Sequence, residues 1–390
     1  MHGKIHRKDN FEMKVLMLTP SFFPILGGCE STVQSLAFKL NENGIHTDVM
    51  TFNMDEKWNP VWREETKEDV FRIFRVPAYN IFHKTALNPL AIAFNINVIA
   101  KPNFTKRLKD YDILHFHDDG DLSFPFFSYF VKRPKILHCH TLVGTYWHYR
   151  SYPTTRRILA GVVDSYICVS SYAKKLLLNL GLPESKIRTL YNGIDTEKFK
   201  PNKSKKLDNL ILFVGRLTIP KGLHVLLNSL RYLDRSIHLT IIGPKKEDNK
   251  YFEKILRLIE QQKKRGVHQI EFLGPLPHNK LAEWYQKATI FVCPSLKETL
   301  GTVNLEALSC ETPVVASKTG GITEIVKHDV NGILVPPNDP EKLANALRKL
   351  LEDKELREEY GKRGRRIVQE QFSLDHTSKE LVRIYENMLT

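Results

Sequence analysis

The chain has 390 residues, of which 42% are hydrophobic and 26% are charged, a composition that excludes a disordered or fibrous protein. The length suggests two or three domains. The five cysteines include no C-x-x-C pair, which excludes a cysteine zinc site of the usual spacing, and the net charge of +14 needs a physical explanation.

Strands and helices alternate along the first half of the chain. Residues 13–20 form a short apolar run that ends at a proline, which predicts a buried β-strand. In the helix predicted after it, Val33, Leu36, Ala37 and Leu40 fall on one face. Further strands are predicted at 46–52, 70–77, 111–117, 134–140, 163–170 and 186–195.

The alternation restarts after a polar, lysine-rich segment. We predict strands within 210–216, 237–243, 270–274, 289–295 and 313–317, separated by helical segments. Continuous apolar strands indicate parallel sheets covered on both faces, so the predicted fold is α/β, with two Rossmann-like domains facing each other across a cleft. The predicted parts are a first domain (13–196), a linker (197–209), a second domain (210–370) and a C-terminal helix (371–390) that packs back on the first domain.

Ligands bind such sheets beyond the carboxyl ends of the strands, and candidate residues occur at those ends. Gly27 and Gly28 lie between a strand and a helix, where glycine permits close approach of a phosphate to helix N–H groups. A tight turn explains the pair equally well. Arg216 follows a strand and Lys221 precedes a helix, so these two cations can hold a diphosphate, unless both are ordinary solvated side chains.

Four histidines form two H-x-H pairs at the ends of neighbouring predicted strands. Residues two apart in a strand point the same way, so His115 with His117, and His138 with His140, could chelate a metal. Core histidines are the more usual finding at such positions, and no acidic ligand of fixed spacing appears beyond Asp118 and Asp119. We therefore favour no metal site and single out His140, at a strand end, for site chemistry.

Two glutamates flank the start of a predicted helix. Glu298 lies in the loop after the strand at 289–295, and Glu306 lies inside the next helix. A ligand lying across the helix start could place hydroxyls on both carboxylates and phosphates between them. That description fits a nucleotide diphosphate sugar.

In the first half of the chain the charge excess lies entirely within residues 101–200. Residues 101–200 carry 16 Lys and Arg against 9 Asp and Glu, whereas residues 1–100 carry 11 of each. A basic face fits phosphate-bearing substrates or an anionic membrane surface, although lysine-rich bias gives the same count. Residues 86–109 are apolar and then basic, which fits either a membrane-interface segment or a packed helix pair. No stretch is long enough to span a bilayer, so we expect a cytoplasmic protein, either free or bound peripherally to the membrane.

Together these residues resemble the retaining nucleotide-sugar glycosyltransferases of glycosyltransferase family 4, which have the GT-B fold. The resemblance rests on "GGCE", "HCHT", "NGID", "GRLTIPKG" and above all "SLKETLGTVNLEALSCETPVVASKTGGITEIV", which matches the E-x7-E motif of the family and the Gly-Gly loop after it. It implies transfer of a hexose from a nucleotide diphosphate sugar to an acceptor hydroxyl with retention of anomeric configuration.

The resemblance also implies residue roles. Arg216 and Lys221 would bind the donor diphosphate, Glu298 the sugar hydroxyls and Glu306 the ribose. Gly27 and Gly28 would approach the diphosphate, and His140 would donate to a sugar hydroxyl. The backbone amides that face the donor would belong to Leu300, Gly301 and Thr302.

The implied donor is GDP- or UDP-linked, and the implied acceptor is a glycan, a lipid or a small molecule. No metal cofactor and no nucleic-acid partner are expected. This sequence departs from the family where "LTIIG" continues as "PKKED" without a second glycine, and where Leu300 replaces a common aromatic residue. The alternatives are a sugar-nucleotide epimerase or glycan phosphorylase on the same fold, or a non-catalytic polyanion- or membrane-binding protein.

Overall fold

The structure is a computed structural model that places two compact units in one chain. It describes residues 13–25, 27–54, 65–67, 70–80, 96, 98–100, 102–117, 121–202, 206–245 and 249–390. The first unit comprises residues up to 169 together with 174–190 and 378–390, and the second unit comprises 170–173 and 191–377.

The first unit is built on an eight-stranded sheet in the order β10-β9-β8-β7-β1-β2-β4-β3. All neighbours in it are parallel except β3 and β4, and a separate antiparallel pair is formed by β5 and β6. The strands are β1 (Lys14–Thr19), β2 (His46–Phe52), β3 (Glu65–Lys67), β4 (Arg72–Val76), β5 (Ala78–Asn80), β6 (Val98–Ala100), β7 (Ile113–His117), β8 (Lys135–Cys139), β9 (Ser165–Cys168) and β10 (Ile187–Thr189).

The second unit is built on a six-stranded, fully parallel sheet in the order β13-β12-β11-β14-β15-β16. Apolar side chains of its strands and of the helices against them form one core, which includes Ile211, Leu226 and Leu347. The strands are β11 (Leu210–Val214), β12 (His238–Ile242), β13 (Gln269–Gly274), β14 (Ile290–Cys293), β15 (Val314–Ser317) and β16 (Gly332–Val335).

Helices connect the strands in both units. The first follows the predicted pattern, since Val33, Leu36, Ala37 and Leu40 are its buried residues. The helices are α1 (Gly28–Glu42), α2 (Thr105–Leu108), α3 (Ser123–Phe127), α4 (Leu142–Ser151), α5 (Pro153–Val162), α6 (Ser171–Asn179), α7 (Leu223–Ser229), α8 (Asn249–Arg265), α9 (His278–Lys287), α10 (Thr302–Ser309), α11 (Ile322–Ile325), α12 (Pro340–Glu352), α13 (Lys354–Gln371) and α14 (Leu374–Leu389).

The prediction of two α/β units with parallel sheets is confirmed. Strand β16 was not predicted, because four apolar residues after a polar turn give no periodicity. The segment 197–209, predicted as a linker, belongs to the second unit, where Phe199 is buried beside Tyr285. Of the candidate membrane segment 86–109, residues 86–95, 97 and 101 lie outside the described residues. Within the described part of the chain, every helix is too short or too polar to cross a membrane.

Candidate active site

The predicted site residues of the second unit lie beyond the carboxyl ends of its central strands. Arg216 follows β11, and Glu298 follows β14, which is the neighbour of β11 in the sheet. The turn at 219–221 and the loop before Glu298 are joined by a hydrogen bond of 2.7 Å from the Leu296 amide to the Pro220 carbonyl. Two loops that are joined by residues 76 positions apart in sequence therefore form one surface at the sheet edge.

Lys221 and Glu298 form an ion pair at this edge. The Lys221 ammonium donates a hydrogen bond to Oε2 of Glu298, and the side chains are 23% and 13% exposed. Burial by itself lowers the pKa of Lys221, but the Glu298 carboxylate outweighs burial and raises that pKa overall. The lysine is therefore a permanent cation in this loop. Arg216 is exposed beside it, and its side chain makes no hydrogen bond or ion pair with a residue in the described ranges, so its guanidinium is available to an anion.

The helix α10 begins directly beyond this ion pair. Gly301 precedes it with φ of +86°, a conformation in which side-chain-bearing residues are strained. Gly320 and Gly321 pack so tightly on the loop that a Cβ on either would lie about 2 Å from the carbonyl oxygens of Glu298 and Thr299. Close packing of backbone on backbone holds residues 298–301 in place, and this loop leads directly into α10, whose first amide N–H groups have no partner within the helix.

Glu306 is buried inside α10, 5% exposed, and both of its oxygens are hydrogen-bonded. His278 Nε2 lies 2.8 Å from Oε1, and the Tyr285 hydroxyl donates to Oε2 at 2.7 Å. Each carboxylate oxygen keeps one further acceptor position. Glu306 is therefore fixed in orientation, and it can still accept a hydrogen bond from a ligand hydroxyl.

Lys198 determines the tautomer of His278. Its ammonium lies 3.1 Å from Nδ1 of His278, and an ammonium can only donate. Nδ1 must then be the acceptor, so Nε2 carries the hydrogen and donates to Glu306. Lys198, His278 and Tyr285 did not stand out in the sequence, because they reach Glu306 from 108, 28 and 21 positions away.

Gly27 and Gly28 lie in the first unit at the start of α1, as the sequence predicts. Gly27 is the N-cap, and nothing lies within 4 Å of the position of a Cβ on Gly28. The carboxylate of Glu30 folds over Gly27 and accepts a hydrogen bond of 2.5 Å from the Ser21 hydroxyl. An anion approaching this helix end would meet Glu30 first.

His140 also lies in the first unit, one residue beyond β8. Its Nε2 is 3.1 Å from Nδ1 of His117. Burial lowers the pKa of His140 to about 4, so the ring is neutral at neutral pH. A neutral imidazole has a single N–H, and His140 can donate to a ligand through Nδ1 only if His117 Nδ1 carries the hydrogen of this contact.

The structure thus brings together the predicted residues within each unit. Arg216, Lys221, Glu298 and the amides of 300–302 share one edge of the second sheet, with Glu306 one turn into α10. Gly27, Gly28 and His140 belong to the first unit.

Two regions of the chain match known families. Residues 26–198 match the family described as Glycosyltransferase Family 4, and residues 194–367 match the family described as Glycosyl transferases group 1. The two regions together span most of the chain.

Full-length relatives agree with these matches. The chain is 29% identical to an uncharacterized glycosyltransferase of Methanocaldococcus jannaschii, over 96% of this chain and 98% of that protein. It is 26% identical to the O-antigen chain mannosyltransferase C of Escherichia coli, over 97% and 99%. A solved Anabaena structure in complex with UDP and glucose has a TM-score of 0.76 at 19% identity, covering 96% of this chain and 99% of that one.

Proposed function

The chain is a glycosyltransferase of the family 4 type with the GT-B fold, and from this premise we propose that it transfers a hexosyl group from a nucleotide diphosphate sugar to an acceptor hydroxyl. One arrangement supports this proposal most strongly. Beyond one edge of the second sheet, the cations Lys221 and Arg216 lie beside the start of α10 and the carboxylates of Glu298 and Glu306. The similar Anabaena protein was solved with UDP and glucose, and the similar E. coli protein is a mannosyltransferase. The Anabaena structure supports a UDP-linked sugar as donor, and the mannosyltransferase supports a hexosyl group; a GDP-linked donor is what the family resemblance implies.

The cations Lys221 and Arg216 would stabilise the leaving diphosphate. The Lys221 ammonium has three N–H donors, and only one is needed for Glu298. The other two, with the Arg216 fork and the first amides of α10, can oppose the charge that develops on the departing phosphate. Because these groups supply positive charge, we expect the transfer to require no metal at the diphosphate.

Glu298 would bind hydroxyls of the donor sugar. Its ion pair with Lys221 makes the carboxylate a poor nucleophile, which argues against a covalent glycosyl-enzyme intermediate. We therefore propose retention by a front-face route. The bond from C1 to the phosphate oxygen breaks, the acceptor oxygen bonds C1 on the same face, and the acceptor proton passes to the departing phosphate.

Glu306 would hold the ribose. Its two remaining acceptor positions match two neighbouring hydroxyls, and the hydrogen bonds from His278 and Tyr285 keep the carboxylate in place. The roles of Gly27 and Gly28 at the diphosphate, and of His140 at a sugar hydroxyl, stay predictions from the family resemblance. For the two glycines, the Glu30 carboxylate at the same helix end opposes an approaching anion.

An exposed aromatic cluster in the first unit supports the expected contact with an anionic membrane. Phe126, Tyr129 and Phe130 are 46%, 56% and 90% exposed, and the basic residues Lys132 and Arg133 follow them. Aromatic side chains of this kind favour the interface of a bilayer, and nearby cations are attracted to acidic headgroups. We propose that this cluster brings the enzyme to membrane-bound acceptors from the cytoplasmic side.

A donor screen tests the proposal. Purified protein is mixed with UDP- and GDP-linked hexoses, and the melting temperature is recorded; a panel of acceptor alcohols is then added, and the release of nucleoside diphosphate is recorded. A donor at 100 times its Kd should stabilise the fold by roughly 2.7 kcal/mol. An epimerase would isomerise the donor without releasing diphosphate, and a polyanion-binding protein would respond to heparin as strongly as to the nucleotide sugar. Either result would contradict the proposal.

A further inference from the structure

Three histidines of the first unit meet in its core beside the central strands. His115 and His117 lie on β7, and His138 lies on the neighbouring β8, in register with His117. All three are 0% exposed, and one ring nitrogen of each lies within 4.8 Å of those of the other two. The sequence shows that each H-x-H pair shares a face, but only the sheet order places the two strands side by side.

Four of the six ring nitrogens in this group have no hydrogen-bond partner among the residues that the structure describes. They are Nε2 of His115, Nε2 of His117 and both nitrogens of His138, and all four are buried. A neutral imidazole always carries one N–H, so His138 buries an unsatisfied donor and an unsatisfied acceptor. Buried polar atoms in native proteins are almost always satisfied, so three such rings in contact indicate a missing partner.

The nitrogens that do have partners are oriented as in a metal site. Nδ1 of His115 lies 2.6 Å from the hydroxyl of Tyr385, and Nδ1 of His117 lies 3.1 Å from Nε2 of His140. When each Nδ1 is the donor, Nε2 of both rings presents a lone pair into the cluster. Ligating histidines usually have their other nitrogen held by such a second partner, which fixes the tautomer.

We propose that His115, His117 and His138 bind one borderline divalent transition-metal ion, of which Zn²⁺ is the representative. Imidazole ligands select such ions, whereas Mg²⁺ and Ca²⁺ prefer oxygen. Zinc–nitrogen bonds of about 2.0–2.1 Å require ligand atoms about 3.4 Å apart in a tetrahedral site. The three nitrogens lie within 4.8 Å of one another, so the widest pair needs to close by at most about 1.4 Å.

This ion would be structural. The ligands are enclosed in the first unit, so the ion has no part in holding the diphosphate. It would join β7 to β8, and through Tyr385 to α14. With Nε2 of His117 bound to the ion, the hydrogen of the His117–His140 contact would lie on Nδ1 of His117. Nε2 of His140 would then be the acceptor, and the single N–H of His140 would be at Nδ1. The site does not depend on the proposed donor or acceptor.

Metal content tests the proposal. Tag-free protein is dialysed against Zn²⁺ buffered by a weak chelator, and the bound metal is measured by mass spectrometry. We expect about one equivalent for the wild type, none above background for His138→Leu, and one equivalent for the matched control His376→Leu, which changes an exposed histidine. Equal metal content in wild type and His138→Leu would overturn the proposal, as would its absence from both.

The melting temperature distinguishes a metal site from a group of unpaired core histidines. If the site binds metal, EDTA lowers the melting temperature of the wild type. The melting temperature of His138→Leu is then lower than that of the wild type and does not change with EDTA. If His138 is only an unpaired core residue, leucine removes two unsatisfied atoms and leaves the melting temperature equal or higher. Should His138→Leu not fold, zinc absorption spectroscopy of the wild type decides, because three imidazole nitrogens at about 2.0 Å are expected. A spectrum dominated by oxygen or sulfur ligands would contradict the assignment.

Discussion

The ammonium of Lys221 is hydrogen-bonded to the carboxylate of Glu298, across 77 positions of sequence. The pair joins the loop after β11 to the loop after β14, and each residue serves a different part of a sugar nucleotide in the proposed function. Lys221 faces the phosphate and Glu298 faces the sugar, so the bond that breaks would lie between them.

The first prediction concerns Lys221. Lys221→Ala removes the cation and leaves Glu298 without its ion-pair partner, so transfer should fall by about 10²- to 10³-fold, as when one transition-state donor is lost. The control is Lys297→Ala, which removes an exposed lysine from the same loop and should retain wild-type transfer. Steady-state release of nucleoside diphosphate measures both. Equal rates of diphosphate release for Lys221→Ala and Lys297→Ala would show that Lys221 does not stabilise the leaving group.

The second prediction concerns Glu306. Both of its neighbours donate hydrogen bonds, so Glu306→Gln turns one amide N–H toward a donor, a mismatch of about 1–3 kcal/mol. Binding of UDP or GDP should weaken about tenfold, or roughly 1.4 kcal/mol, measured by calorimetry. The exposed control Glu341→Gln should bind normally. Unchanged affinity in a folded Glu306→Gln protein would show that this carboxylate does not touch the ribose.

The third prediction concerns stability in acid and the buried carboxylate of Asp48. Burial raises its pKa, but hydrogen bonds from His46, Tyr111 and Arg72 outweigh burial and hold the pKa well below its usual value. Because the pKa of Asp48 is lower in the folded than in the unfolded protein, ionised Asp48 stabilises the fold. This stabilisation is complete above the unfolded pKa of about 3.9, and it is lost as the pH falls from there toward the folded pKa.

Asp48→Asn should therefore lower stability by roughly 2 kcal/mol at pH 7, the scale of hydrogen bonds to a charged group. It should also flatten the fall in stability between about pH 4 and pH 2. Denaturant unfolding at a series of pH values measures both effects. The exposed control Asp110→Asn should give the wild-type dependence of unfolding free energy on pH. A curve for Asp48→Asn that runs parallel to the wild-type curve below pH 4 would contradict the explanation.

The fourth prediction concerns the exposed aromatic cluster of the first unit. Phe130→Ser should reduce sedimentation with vesicles that contain acidic lipids severalfold, because Phe130 is 90% exposed and has little packing to lose. Leu256→Ser, at a 42% exposed position of the second unit, is the control. Loss of vesicle binding by both variants, or by neither, would exclude this cluster as the membrane contact.

The sequence predicts those parts of the fold that depend on local pattern. Apolar runs locate the long strands, and the positions after them contain Arg216 and Glu298. Contacts between distant segments have no such pattern. The sequence near Glu306 gives no indication that His278 and Tyr285 bind its carboxylate. Phe199 lies in a polar, lysine-rich segment, so its burial in the second unit could not be predicted either.

The histidines show the same limit. Spacing puts His115 and His117 on one face, which the ring distance of 4.1 Å confirms. Strand order is a property of the folded sheet, so the sequence could not show that β8 lies beside β7 or that Tyr385 reaches His115. The sequence argument against a metal site rested on where histidines usually occur, and the unpaired nitrogens are visible only in the structure.

Proton NMR of the reaction mixture, with the donor chosen by the screen and a panel of acceptors, tests the proposed retaining transfer most directly. We expect nucleoside diphosphate and a new glycoside to form in equal amounts, and the anomeric coupling of the glycoside to match the configuration of the donor. A product of inverted configuration would contradict the front-face route at Lys221 and Glu298. A nucleotide sugar that is bound but never consumed in the presence of acceptors would contradict the proposed transfer itself.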